Sequence, residues 1–274
     1  MTTTTAPSSP TAPGPVAHRS SLGWAVNDAL AVARRNLIAL FRVPTTLVFS
    51  TVQPVIFVLM FRYVFGGSIR VPGYPHYVDY LMPGIFVQTV TFGSINTGIG
   101  LAEDLSKGLI ERFRSLPMAR SAVLAGRTLA DSVRNLIVII LMVTVGFLVG
   151  FRVHTGVLPF LAAVGVMLLF GFAMSWIMAL IGLSAGNAEA TQAASFPIMA
   201  VLVFASNAFV STRSMPGPLR VYAEHQPVTA TVDAVRVLLN HGAVTRPLMA
   251  AVAWSCAIVA VFAPLAVRRY RRTA

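Results

Sequence analysis

The most chemically active stretch of the sequence is 103–120, EDLSKGLIERFRSLPMAR. Seven charged residues fall within 102–120: Glu103, Asp104, Lys107, Glu111, Arg112, Arg114 and Arg120. Between them Leu105, Leu109, Phe113 and Leu116 recur at helical spacing, and Pro117 ends the pattern. A short amphipathic helix of this kind can seat its apolar face in a groove of a partner protein while its arginines pair with carboxylates. The same residues also suit a basic loop that only fixes the orientation of a membrane chain. Spacing alone leaves both readings open.

Three carboxamides, Gln88, Asn96 and Asn207, lie inside apolar runs. Facing lipid they would be costly, so they either line a path for a polar group or make helix-to-helix hydrogen bonds worth about 1 kcal/mol each. Other chemistries lack their residues. Backbone amides and a lysine cradle phosphates in a P-loop, but Lys107 is the only lysine and it precedes Gly108 instead of following a glycine. Any ATP, and its Mg, is therefore expected on another polypeptide. His76, His154, His225 and His241 fall outside the apolar runs, no HExxH occurs, and Cys256 is the single cysteine. A serine–histidine dyad, a metal site and an intrachain disulfide are accordingly not expected. Asp79, Asp131 and Glu189 are expected near the ends of spans, which leaves a proton-coupled carrier without a central carboxylate.

The elements that must position these residues follow from composition. Of 274 residues, 56% are hydrophobic and only 11% charged, with a mean hydropathy of +0.75. Soluble chains carry about 25% charge, so a soluble globule and a wholly disordered chain are both excluded. Crossing a core of roughly 30 Å takes about 20 apolar residues of helix. Six runs meet or approach that length: 44–65, 78–101, 135–151, 158–183, 195–212 and 247–267. The expected fold is an all-α integral membrane protein of six transmembrane helices. An amphipathic helix over 22–42 is expected to lie in the membrane interface ahead of them. Residues 121–134 read as a helix rising into the third span and 184–194 as a small polar loop. The Thr/Ser/Pro-rich residues 1–21 read as a disordered cytoplasmic tail and not a signal peptide. The domains are thus 1–21, a membrane domain over 22–267, and a basic tail over 268–274.

The net charge of +12 would point to nucleic acid in a soluble protein. Here the basic residues sit at the ends of apolar runs and report topology, so no nucleic-acid partner is expected. With six spans both termini share a side. That side holds four arginines before the first span, six basic residues from Lys107 to Arg134, and four in the tail, against seven on the other. The excess places both termini in the cytoplasm.

Four segments together resemble a known family: 34–67 (RRNLIALFRVPTTLVFSTVQPVIFVLMFRYVFGG), 80–90 (YLMPGIFVQTV), 103–120, and 224–242 (EHQPVTATVDAVRVLLNHG). The chain is similar, from Arg34 to the sixth span, to the membrane subunits of ABC-2 type exporters of the daunorubicin/doxorubicin-resistance kind. The resemblance implies ATP-driven export of a hydrophobic or amphipathic drug, antibiotic, lipid or glycolipid. It implies no cofactor in this chain, a separate ATP-binding subunit, and a unit of two membrane and two ATPase subunits in a bacterial cell membrane. It also gives Glu103, Asp104, Lys107, Gly108, Glu111, Arg112, Arg114 and Pro117 the role of coupling the ATPase to the spans. Residues 184–194 become a minor cytoplasmic contact, and 213–246 an outer region that dips back into the membrane. One position departs: where the family often has Asn before proline in that region, this chain has Gln226. A secondary carrier or an intramembrane enzyme that needs no ATPase remains the alternative. If the interfacial helix is placed correctly, cysteines substituted for Asp28 and Arg35 will react with a water-soluble maleimide from the cytoplasmic side. Labelling from the outside alone would invert the topology.

Overall fold

A computed structural model describes residues 30, 33–34, 38, 44–66, 71, 73–74, 76–108, 120–240, 242 and 244–273. The helix expected over 22–42 lies outside them apart from four residues, Leu30, Ala33, Arg34 and Ile38, which are helical. Among the described residues the regular structure is all helix, with no strand. In chain order the α-helices are α1 (Pro44–Leu59), α2 (Tyr77–Gly93), α3 (Ile95–Ser106), α4 (Arg120–Leu148) and α5 (Val157–Ala185). They continue as α6 (Ala188–Phe204), α7 (Gly217–His225), α8 (Pro227–Asn240) and α9 (Thr245–Thr273). A five-residue π turn, Met60–Val64, extends α1.

Among the described residues four segments are long and apolar enough to cross a membrane: Tyr77–Ser106, Leu124–Leu148, Val157–Ala185 and Thr245–Arg272. Two shorter apolar helices, Thr51–Val64 and Ala188–Phe204, accompany them. The positions of five of the six expected spans are helical over most of their length. The helix expected over 121–134 does rise into the span 135–151, as one continuous helix, α4, over Arg120–Leu148. One boundary differs. The polar loop expected over 184–194 is a two-residue turn. Gly186 closes α5 at φ +78°, a left-handed angle that suits glycine, and the Asn187 side chain accepts the Ala190 N–H to start α6.

Helix α5 is the hub, packed against α9, α3, α8, α4, α2 and α6. The α2–α3 unit is the most enclosed span, 78% buried, although it is also the most polar. Its polarity and burial have one cause: polar side chains are tolerated where protein, not lipid, surrounds them. The main apolar core joins Leu81, Phe86, Ile139, Met142, Phe170 and Met174 with α8. A second, smaller core lies toward the end where α3 stops, around Leu101, Leu124, Trp176, Leu183 and Tyr270.

Two places break the helical ladder within the bundle. At Gly93-Ser94, α2 gives way to α3, a residue pair that commonly kinks helices. After Phe204, residues 205–211 run without regular structure before a 3₁₀ turn at Thr212–Ser214. That segment is not helical because it lies directly on α2: a Cβ at Gly84 would collide with the Ala208 carbonyl. The fifth expected span, 195–212, is therefore half helix and half irregular chain.

Helices approach closely where small residues meet. A Cβ on Gly98 would lie 2.5 Å from the Met178 carbonyl oxygen, and one on Gly182 would strike the Gly98 carbonyl. In lipid, where apolar side chains gain little by leaving tails for neighbours, such backbone contact supplies much of the attraction. Gly182→Val should cost about 1–3 kcal/mol by overpacking. The expected readout is a lower aggregation temperature of the detergent-purified protein; a wild-type temperature would contradict the close α3–α5 crossing.

Candidate functional site

Three polar centres are spread along the bundle. The first is where α3 ends. Glu103 and Lys107 form an exposed pair one helical turn apart, at 2.9 Å. This hydrogen bond and the carboxylate charge hold the Lys107 ammonium above its usual pKa. Asp104 faces inward and binds Arg127 of α4 at 2.6 Å, with both side chains mostly buried. One guanidinium nitrogen of Arg127 occupies the place a Cβ at Gly100 would take. Gly108 takes φ +65° and leaves the helix. Glu111, Arg112, Arg114 and Pro117 lie outside the described residues. The end of α3 is thus tied to α4 by a charged bond, just before the charged segment begins.

The second centre surrounds the Gly93-Ser94 break. The freed Gly93 carbonyl accepts a hydrogen bond from Arg134 at 2.6 Å and another from the Asn96 amide at 3.2 Å. Arg134 also pairs with Asp131 at 3.3 Å, and Asp131 accepts from Thr97, whose hydroxyl lies 3.2 Å from that of Ser175. Asp131 is therefore not at a span end, as the sequence led one to expect. It is buried in the body of α4, with its charge met by Arg134 three residues on. Beside this cluster, between α1, the α2–α3 break, α4 and α6, is a cavity of about 540 Å³. Five carboxamides line it: Gln53, Gln88, Asn96, Asn135 and Gln192. Gln88 is 2% and Asn135 3% exposed. The Oε1 of Gln88 and the Nδ2 of Asn135 have no hydrogen-bond partner. Two of the three carboxamides singled out in the sequence, Gln88 and Asn96, thus meet at one cavity.

Asn207, the third, lies apart from them in the irregular segment. Its side-chain Nδ2 donates to Asp233 at 2.6 Å, and its main-chain carbonyl accepts from Tyr80 Oη at 2.9 Å and from Arg236 at 3.1 Å, while its Oδ1 is buried without a partner among the described residues. Arg236, 4% exposed, also donates to Asp233 and to the Tyr80 carbonyl, with its guanidinium 3.8 Å from the centroid of the Tyr80 ring. Tyr77 Oη donates to the Phe209 carbonyl at 2.8 Å. Gln226 joins two helix ends. Its Nε2 donates to the Leu202 carbonyl at the end of α6, and its Oε1 accepts the Val228 N–H at the start of α8. At the other end of α8, Asn240 donates to the Asp79 carbonyl, and the Leu239 carbonyl accepts the His154 N–H. Helix α8 is therefore a buried helix packed on α2, α5 and α9, with one end beside the last turn of α6.

Sequence reading missed Arg134, Asp233 and Arg236 as members of polar networks. The available signal was spacing, since Asp131/Arg134 and Asp233/Arg236 each stand three apart, on one helix face. Among the described residues no group of His, Cys, Asp or Glu could hold a metal ion.

Apolar helices of spanning length around internal polar networks define a multi-pass helical membrane protein. Residues 28–240 match the family model of the ABC-2 type transporter, and the chain belongs to that family. It is 35% identical over 253 residues to the daunorubicin resistance ABC transporter permease protein DrrB1 of Streptomyces coeruleorubidus, covering 92% of this chain and 89% of that protein. It is 28% identical over 228 residues to the probable doxorubicin resistance ABC transporter permease protein DrrC of Mycobacterium tuberculosis, covering 83% and 82%. A putative transport permease, ycf38 of Cyanophora paradoxa, is 25% identical over 223 residues, 79% of this chain and 75% of that protein. The protein is a membrane permease subunit of an ABC transporter, and its role is transport, not catalysis.

The third centre generates a stability prediction. Arg236→Met removes a hydrogen bond from each of the Tyr80 and Asn207 carbonyls and leaves Asp233 without its cation, at a cost on the order of 2 kcal/mol. Thermal unfolding in detergent should register the loss, and adding Asp233→Asn should recover part of it. No change in Arg236→Met would remove the network from the fold's support.

Proposed function

We propose that this chain exports a hydrophobic or amphipathic molecule, an antibiotic or a lipid, from the cytoplasm or inner leaflet of a bacterial cell membrane. ATP and Mg are bound by a separate subunit. Two copies of the chain pair with two ATP-binding subunits, and both termini are cytoplasmic. The drug-resistance permeases named above favour the substrate class, and the Arg and Lys distribution favours the orientation.

The observation that carries the coupling mechanism is the ion pair of Asp104 with Arg127. Closure of an ATPase dimer moves whatever is docked to it, and here the docked element is 103–118. Glu111, Arg112, Arg114 and Pro117 belong to the part of that segment that meets the partner. Glu103 and Lys107 stiffen its approach, while Gly108 allows the change of direction. Asp104 passes displacement to α4 through Arg127, whose guanidinium is seated against Gly100. Helix α4 carries Arg134 and Asn135 to the cavity, so a shift in α4 changes the substrate's surroundings. ATP binding then acts by favouring one of two arrangements of the same helices. Gln88 and Asn96 contact the substrate; Asn207, in its own network, holds the irregular segment on α2.

Asp104→Arg should abolish ATP-dependent transport in proteoliposomes while leaving the ATPase subunit bound, and Asp104→Arg with Arg127→Asp should restore much of it. Substituting Glu111 and Arg112 together should instead release the ATPase subunit on co-purification. Transport that survives both changes would overturn the coupling assignment.

A further inference from the structure

The cavity beside the Gly93-Ser94 break holds more hydrogen-bonding capacity than the fold uses. Its polar lining consists mainly of carboxamides, groups that offer donors and acceptors together and carry no charge. One acceptor on Gln88 and one donor on Asn135 are buried and unpartnered. Exchanging the O and N of either amide would still leave the pair offering donors and acceptors. Among the described residues the only charged one in the lining is Arg134, and its guanidinium is already engaged by Asp131 and the Gly93 carbonyl. Among them no carboxylate lines the cavity to meet an ammonium, and an anion approaching Arg134 would also meet Asp131. Phe92 and Phe196, with ring centroids 5.8 Å apart, give the cavity an aromatic wall. Its volume of about 540 Å³ suits a small-molecule head, since such sites run from about 300 to 1,000 Å³.

We infer that this cavity binds the polar head of the transported molecule and selects an uncharged head group bearing several hydroxyl or carbonyl groups, such as a sugar or a polyhydroxylated ring, over an ammonium or an acid. The inference deepens the exporter reading and takes its purpose from it. The binding chemistry stands on the cavity alone. Gln88, Asn96 and Asn135 line the cavity with side-chain amides that can give or accept hydrogen bonds, and Gln53 and Gln192, both exposed, stand at the mouth. A charged head would lose its water without gaining a counter-ion.

The test uses the full chain in phosphatidylcholine nanodiscs. Three probes share one nitrobenzoxadiazole-labelled dodecyl chain and differ only in the head: glucose, trimethylammonium or sulfate. Fluorescence anisotropy, corrected by empty nanodiscs, gives the affinities. The glucoside should bind at least about tenfold more tightly than either charged probe. Gln88→Leu removes an unused acceptor, so the protein should fold as well as the wild type, yet glucoside affinity should fall severalfold while the weak binding of the others stays put. Gln192→Glu places a carboxylate at the mouth and should raise trimethylammonium affinity. A charged probe that binds as tightly as the glucoside, an unchanged glucoside affinity in Gln88→Leu, or no saturable binding of any probe would each overturn the inference. The measurement needs no ATP-binding subunit, so its failure leaves the exporter reading intact, and a failure of ATP coupling leaves these affinities unaltered.

Discussion

A lipid bilayer offers no water to backbone groups, so each N–H and C=O within it must be satisfied by protein. An unbroken helix meets that demand by itself. This chain breaks its helices twice inside the bundle and must meet the demand with side chains. Arg134 and Asn96 serve the Gly93 carbonyl at the first break. At the second, Gln226, Arg236, Tyr77 and Tyr80 serve the end of α6 and the segment that follows it. Arg134, Gln226 and Arg236 are buried at these breaks, whereas buried Thr89, Thr128, Ser175 and Ser255 bond back to carbonyls of their own helices. The charges at the breaks follow the same logic: Arg134 and Arg236 are each neutralised by an aspartate three residues earlier, so neither enters the interior uncompensated.

The breaks do more than survive in the membrane. The turn from α2 to α3 opens space next to Pro54 of α1, and that space is the cavity. Asn96 and Arg134 belong to both, since each lines the cavity and serves the Gly93 carbonyl. A site of this kind is rigid at its base, where Arg134 is fixed by two partners. It is more open at its mouth, where Gln53 and Gln192 are exposed. The two requirements, a repaired helix and a polar pocket, are met by one arrangement.

Mechanical continuity runs from the end of α3 to the same place. Asp104 and Arg127 join α3 to α4 one to two turns before Asp131 and Arg134. Backbone contact at Gly98 and Gly182 joins α3 to α5. Helices held by an ion pair on one side and by touching backbones on the other move more readily as a body than by bending.

The residues alone determined the class of fold and the charged segment after the second span. Apolar run length, the scarcity of charge and the placement of arginines are properties of the chain as a string, and the bilayer reads them locally. Family resemblance carried the role of 103–118, and half of its named residues, Glu111 to Pro117, lie beyond the described structure. Where a helix ends was less legible. The Asn187 cap that shortens the 184–194 loop is a local signal that a polar composition concealed. The non-helical course of 205–211 has no comparable local signal, because it is imposed by contact with Gly84 more than a hundred residues away. Gln88, Asn96 and Asn207 look alike in the sequence, since each is a carboxamide in an apolar run. Only packing separates them: two border a cavity, and the third is committed to Asp233 and Arg236. Whether a polar group in a membrane protein is free or engaged depends on neighbours from other helices, and tertiary structure alone brings those neighbours together.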